Sequence, residues 1–195
     1  WDKEDSRYRE ASQCFWSKVA FGKYRRKLPA DHQKFQQLFN KLGVRDEPEP
    51  SDAVEILREI SEEFSPENKK LNDEAKSVSY SCWKLLEKAG EELYEDLTKF
   101  PCVVNNSDRL DLPSKLFFDN LPGIAESLGL IPNVVEIKPD IFKPMRAPGV
   151  RFLSEVVQTD LVSYEKESRS RELETKVGWK SCFERIFQKH DSDFD

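Results

Sequence analysis

Residues 31–44 read Asp31-His-Gln-Lys-Phe-Gln-Gln-Leu-Phe-Asn-Lys-Leu-Gly-Val44. Phe35, Leu38, Phe39 and Leu42 stand at i, i+3, i+4 and i+7, the spacing that lines one face of an α-helix. The spacing predicts a helix over 31–42. Gly43 follows directly, where a left-handed closing residue is easiest without a Cβ. The four apolar side chains are the expected core contacts of a packing helix, and nothing in the stretch points to chemistry.

Downstream, Arg45-Asp-Glu-Pro-Glu-Pro50 reads as a stiff polar connector, because proline does not continue a helix. Ser51 is the expected N-cap of the next helix, with Asp52 favourably placed against the helix dipole. Ala53, Ile56, Leu57, Ile60 and Phe64 give that helix one apolar stripe. Two single-striped helices joined by a short link predict an antiparallel pair. Upstream, Tyr8, Ala11, Phe15, Trp16 and Val19 predict a helix over 4–20, with Gly22 and Pro29 loosening its exit.

Ser65-Pro66 reads as a restart, cap followed by proline in the first turn. Leu71, Ala75, Val78, Cys82, Leu85, Leu86, Ala89, Leu93 and Leu97 then recur every three or four residues until Pro101. The expectation is one long helix, with Gly90 as the place for a bend. Past Phe100 the pattern changes. Cys102-Val-Val104, the turn Asn105-Asn-Ser-Asp108 and Arg109-Leu-Asp-Leu112 predict a β-hairpin. Lys115–Phe118 is a further extended piece, 122–128 a brief helix closed by Gly129, and Val134–Ile137 another strand. Pro139, Pro144 and Pro148 mark a loop, 150–157 a turn of helix and 160–164 an extended segment. Val177, Cys182, Phe183, Ile186 and Phe187 predict a last amphipathic helix before an acidic, disordered 191–195. The predicted fold is therefore α+β and predominantly helical. A helical lobe spans 1–99, a small α+β lobe with the hairpin 100–164, and a charged segment with a C-terminal helix 165–190.

Composition narrows the functional classes. The 195 residues are 37% hydrophobic and 35% charged, yet carry 13 Phe and 4 Trp, more aromatic character than a disordered chain holds. An elongated, helix-rich piece of a larger protein fits these figures. The net charge of −6 argues against nucleic acid as the main partner. One local exception is the basic stretch Lys18, Lys23, Arg25, Arg26 and Lys27, which reads as a solvated helix end or as a contact for a phosphate or an acidic protein. Cys14, Cys82, Cys102 and Cys182 form no C-x-x-C pair, so the expectation is reduced, mostly buried thiols. No apolar run reaches the length of a membrane span. The chain opens at Trp1 with no signal-peptide pattern, and a cytoplasmic or nuclear setting is expected.

Candidate chemistry is sparse. His32 and His190 are the two histidines, one early in a helix and one late, and nothing pairs either with a nucleophile. Seven glycines form no phosphate-cradling motif. The pairs Glu62-Glu63, Glu91-Glu92 and Glu95-Asp96 read as solvated helix faces. Phe117-Phe118, like Phe15-Trp16, reads as core or as an interaction anchor. These residues predict no enzyme, no metal and no cofactor.

Several short pieces, in order, resemble a region of the sacsin and No Vein group of large proteins, which carry an HSP90-like (GHKL-type) ATPase domain. They are Trp16, Leu28-Pro29, Phe35, Leu38-Phe39 and Leu42-Gly43-Val44, then Ala53, Leu57 and Ile60. Phe100-Pro-Cys-Val103, Leu112-Pro-Ser114, Phe117-Phe-Asp119 and Phe152-Leu-Ser-Glu-Val-Val157 follow, so that the resemblance covers about residues 15–160. It implies a non-catalytic repeat or connector beside the ATPase domain, in a protein linked to chaperone-like work. The Asn-bearing helix and glycine motifs of that ATPase have no counterpart here, so no nucleotide-binding residue is implied. The implied partners are proteins or neighbouring domains of the same chain. The alternative is a nucleic-acid-associated regulatory domain using 18–27, in RNA or chromatin control.

Overall fold

The computed structural model describes residues 10–17, 21–121, 123–135 and 138–157, which form a mixed α+β fold of mostly short helices and small sheets. Its centre is the helix α2 (Pro50–Phe64) packed on α3 (Asp73–Leu85). Ala53, Ile56, Leu57 and Ile60, the stripe read from the sequence, are fully buried there. The start of α2 differs from expectation. Glu49, not Ser51, is the N-cap, and its backbone N–H donates to Asp52 Oδ2 at 2.7 Å in a capping box. Pro50 therefore sits in the first helical position, where its missing N–H costs nothing. Arg45 locks this corner through ion pairs to Glu49 and Asp52.

The Ser65-Pro66 restart does not occur. Ser65 closes α2, the chain turns through a left-handed Asn68, and α3 begins after Asn72, whose Oδ1 accepts from the Ala75 N–H at 2.8 Å. The long helix is broken as well. A 3-10 turn at Leu86–Lys88 ends it, Ala89 is extended, and Gly90 caps the separate α4 (Glu91–Leu97). The apolar stripe survives the break: Leu71, Ala75, Val78, Cys82, Leu86 and Leu97 are all buried. Burial of that stripe, rather than helical continuity, is what its spacing reported.

The predicted helix pair of 31–42 with 51–64 is replaced by a different partnership. Residues 30–35 form 3-10 turns and α1 (Gln36–Lys41) continues them, while α2 takes α3 as its main partner. α1 joins a satellite cluster of Cys14, Trp16 and Val44, packed with Ala11, Leu28 and Phe39. The expected helix over 4–20 is not seen in 10–17. Ala11–Gln13 is a 3-10 turn, and β1 (Cys14–Phe15) runs parallel to β2 (Arg26–Lys27). Residues 1–9 and 18–20 lie outside the described residues.

Beyond Phe100 the hairpin forms as read, β3 (Val103–Val104) antiparallel to β4 (Leu110–Asp111). Asn105 builds its turn, with Oδ1 accepting from the N–H groups of Ser107 and Arg109. β5 (Phe117–Phe118) is the centre of a parallel three-stranded sheet, between β6 (Val134–Val135) and β7 (Arg151–Phe152). Parallel neighbours need crossovers, supplied by α5 (Ile124–Ser127) and α6 (Phe142–Arg146). The prolines expected to make 139–148 a loop instead admit α6, with Pro144 inside its first turn, where no N–H partner is required. Residues 150–157 are strand β7 plus a 3-10 turn at Leu153–Glu155 rather than a turn of α-helix. One core crosses residue 100, joining Leu57 and Trp83 to Val103, Leu116, Phe118 and Met145. The Trp83 indole, fully buried, donates to the Cys102 carbonyl at 3.3 Å. The extended 160–164, the C-terminal helix and the acidic 191–195 of the sequence reading lie outside the described residues.

Candidate interaction surface

Lys23 and Arg25 of the basic stretch are drawn against the body of the fold. Glu55, Glu59 and Glu63 recur every four residues along one face of α2. Arg25, only 2% exposed, places Nη1 at 2.7 Å from Glu59 and Nη2 at 3.0 Å from Glu55, and Nη1 also donates to the Tyr24 carbonyl. The Tyr24 hydroxyl donates to Glu63 at 2.9 Å, and burial, reinforced by that carboxylate, pushes its pKa well above the ordinary tyrosine value. Lys23 also pairs with Glu63, and its N–H donates to Glu74. Arg26 is half-buried in β2, Lys27 is exposed, and Lys18 lies outside the described residues. The positive charge of Lys23 and Arg25 is thus matched by α2, a pairing that sequence spacing alone does not reveal.

Phe117 and Phe118 separate as neighbours on a strand must. Phe118 is fully buried and meets Phe142 and Phe152 at ring-centroid distances of 5.6 and 5.7 Å. Phe117 points the other way, half-buried against Ala125, Val134 and Leu153, with Arg151 over its ring. Both serve packing in this structure. Cys82 and Cys102 are fully buried thiols whose pKa values burial pushes far above normal, which suppresses thiolate chemistry. His32 lies edge-on to Phe39 at 5.5 Å.

A cleft of about 250 Å³ opens between α3, the hairpin and the stretch before α6. Trp83, Val104, Val135, Ile141 and Met145 give it an apolar floor. Its polar rim is largely self-satisfied. Lys76 pairs with Asp73 and Asp108 at 3.0 and 3.2 Å. The Tyr80 hydroxyl donates to Asp140 at 2.8 Å, which lowers the Asp140 pKa below the usual carboxylate value. Lys138 lies over the Tyr80 ring. Asn105 is consumed by its turn. Among the described residues, the rim groups Lys76, Tyr80, Asn105 and Asp108 are thus engaged with protein partners.

Three of the four stripe residues that the sequence assigns to the core are left outside. Phe35, Leu38 and Leu42 are 51%, 56% and 60% exposed. α1 is anchored by its other side. The Trp16 indole donates to Asn40 Oδ1 at 2.7 Å and meets the Phe39 ring edge-on at 5.9 Å. Gly43, at φ 104°, closes the helix in a Schellman arrangement, the Val44 N–H donating to the Phe39 carbonyl at 3.0 Å. Val44 and Phe39 then share the satellite cluster. Three large exposed apolar side chains, Phe35 and Leu42 at the two caps and Leu38 within it, are therefore carried by an anchored helix.

Among the described residues no group of three or more His, Cys, Asp and Glu could hold a metal ion, and no helix is long and apolar enough to cross a membrane. Searches of protein-family models, of curated proteins and of solved structures find no match for this chain.

Proposed function

We propose that this chain is a non-catalytic protein-interaction module, a scaffold surface within a larger HSP90-like ATPase protein of chaperone-related function. The observation that carries the reading is the exposed row Phe35, Leu38 and Leu42 on a helix held by Trp16, Asn40 and Val44. Exposed large apolar groups presented by a fixed element are what a docking partner covers. The ATPase context rests on the ordered short motifs that resemble the sacsin and No Vein group. The nucleic-acid alternative has less support, because Lys23 and Arg25 are engaged by acids of α2.

Photo-crosslinking in intact cells tests the interaction reading. A photoreactive residue replacing Leu38 or Leu42 is expected to give the same discrete adduct from both positions. Placed at the exposed Glu62 of α2 it should give none, and Phe35→Asp should remove the adduct. Absence of any adduct, or one common to all three positions, contradicts the proposal. The ATPase context is tested separately by the sequence of the parent protein. An ATPase domain with an Asn-bearing helix and glycine motifs is expected there, and its absence removes that context.

A further inference from the structure

We infer that the partner docking on the α1 row is an acidic amphipathic helix, with carboxylates flanking its apolar stripe. The inference rests on the interaction reading above and adds the chemistry of the partner. Phe35 and Leu42 cap the two ends of α1 and Leu38 lies within it, all three exposed, and Lys34 and Lys41 are the chain neighbours of Phe35 and Leu42. The Lys34 ammonium lies 5.1 Å from the centroid of the exposed Phe35 ring, so one cation already borders the row. Neither lysine has an ion-pair partner among the described residues. Some other cations of the fold are engaged, Lys23 by Glu63, Arg25 by Glu55 and Glu59, Arg45 by Glu49 and Asp52, and Lys76 by Asp73 and Asp108. Lys27, Lys70, Lys88, Lys115 and Lys143 also have no ion pair among the described residues. What sets Lys34 and Lys41 apart is their place beside exposed apolar side chains.

In a chain of net charge −6, two lysines without an ion pair among the described residues thus stand next to the exposed apolar side chains, Lys34 beside Phe35 and Lys41 beside Leu42. Asp31 is the one carboxylate in residues 30–42. Complementary charge at an interface rim selects partners and steers their approach. A helix with Asp or Glu beside its apolar stripe satisfies both parts of the surface. A nucleic acid satisfies the lysines alone, and a second copy brings lysines where carboxylates are needed.

Fluorescence anisotropy of the full chain tests this with two synthetic amphipathic peptides sharing one apolar stripe, one flanked by Glu and one by Lys. At about 50 mM salt the Glu peptide should bind about tenfold more tightly, the worth of two exposed ion pairs. The gap should close near about 1 M salt, where charges are screened within about 3 Å. Lys34→Glu with Lys41→Glu should reverse the preference, and Leu38→Asp should abolish binding of both. Equal low-salt affinities, both lost on Leu38→Asp, overturn the acidic partner while leaving the interaction reading intact. No binding of either peptide overturns the acidic partner and is the outcome expected if the chain's own 191–195 segment or a second copy fills the row. Binding indifferent to Leu38→Asp and Leu42→Asp alike overturns the interaction reading as well.

Discussion

The indole N–H of Trp16 reaches the side-chain carbonyl of Asn40 at 2.7 Å, across a sequence separation of 24 residues. Asn40 is polar and lies between Phe39 and Leu42, yet it is this residue, with Phe39, that fixes α1 to the rest of the molecule. The more regular apolar row faces away. Asn40→Ala would leave the Trp16 N–H, in a residue only 9% exposed, without its acceptor. The expected loss is about 1–3 kcal/mol of local stability. Native-state hydrogen exchange should quicken at the amides of 36–41 while α2 and α3 keep their protection, and unchanged protection in α1 would contradict this anchor.

The two kinds of apolar position should separate cleanly in denaturant. Leu57→Ala removes a fully buried side chain of α2 and should cost about 2–5 kcal/mol. Leu38→Ser and Leu42→Ser alter exposed positions and should stay within about 0.5 kcal/mol of the parent chain. Equal losses at Leu38 and Leu57 would mean that the row is packed in solution.

Pairing with α2 gives the basic stretch a structural role. Glu59→Ala leaves a buried Arg25 with one carboxylate fewer and is expected to destabilise by about 1–3 kcal/mol in urea unfolding. In a mobility-shift assay at about 50 mM salt, where phosphate contacts are strongest, no complex with RNA or DNA is expected. A salt-sensitive shift lost on Arg26→Glu with Lys27→Glu would restore the nucleic-acid alternative.

The Tyr80–Asp140 bond makes a pH prediction. Donation from the Tyr80 hydroxyl holds the Asp140 pKa below its unfolded value. A depressed carboxyl contributes stability that is present above the unfolded pKa and is lost as the pH falls through the folded one. NMR titration of the Asp140 carboxyl should show the low value in the parent chain and a return toward the ordinary range in Tyr80→Phe. An identical titration in both proteins would show that the bond does not form in solution.

Burial of the long helical stripes was legible because 3.6-residue spacing reports which residues must leave water, whatever breaks the helix. Leu71 to Leu97 stay on one buried side even though Gly90 and a 3-10 turn divide the helix. The hairpin was legible through Asn105, whose side chain makes the turn. Long-range choices were not. Nothing local tells Phe35 and Leu38 that α2 will take α3 as its partner, or that Asn40 will meet Trp16. The same holds for Arg25, whose neutralisation depends on Glu55 and Glu59, 30 and 34 residues away. The exposed residues Phe35, Leu38 and Leu42 were visible in the sequence as an amphipathic stripe and read there as core, because periodicity does not distinguish a face that packs inside from one left at the surface.

Hydroxyl-radical footprinting of the full chain measures the exposure of that face residue by residue. Phe35, Leu38 and Leu42 are predicted to oxidise far faster than the buried Leu57 and Trp83 in the absence of a partner, and to become protected when the Glu-flanked peptide is added. Protection of all three in the chain alone, to the level of Leu57, would contradict an open docking row.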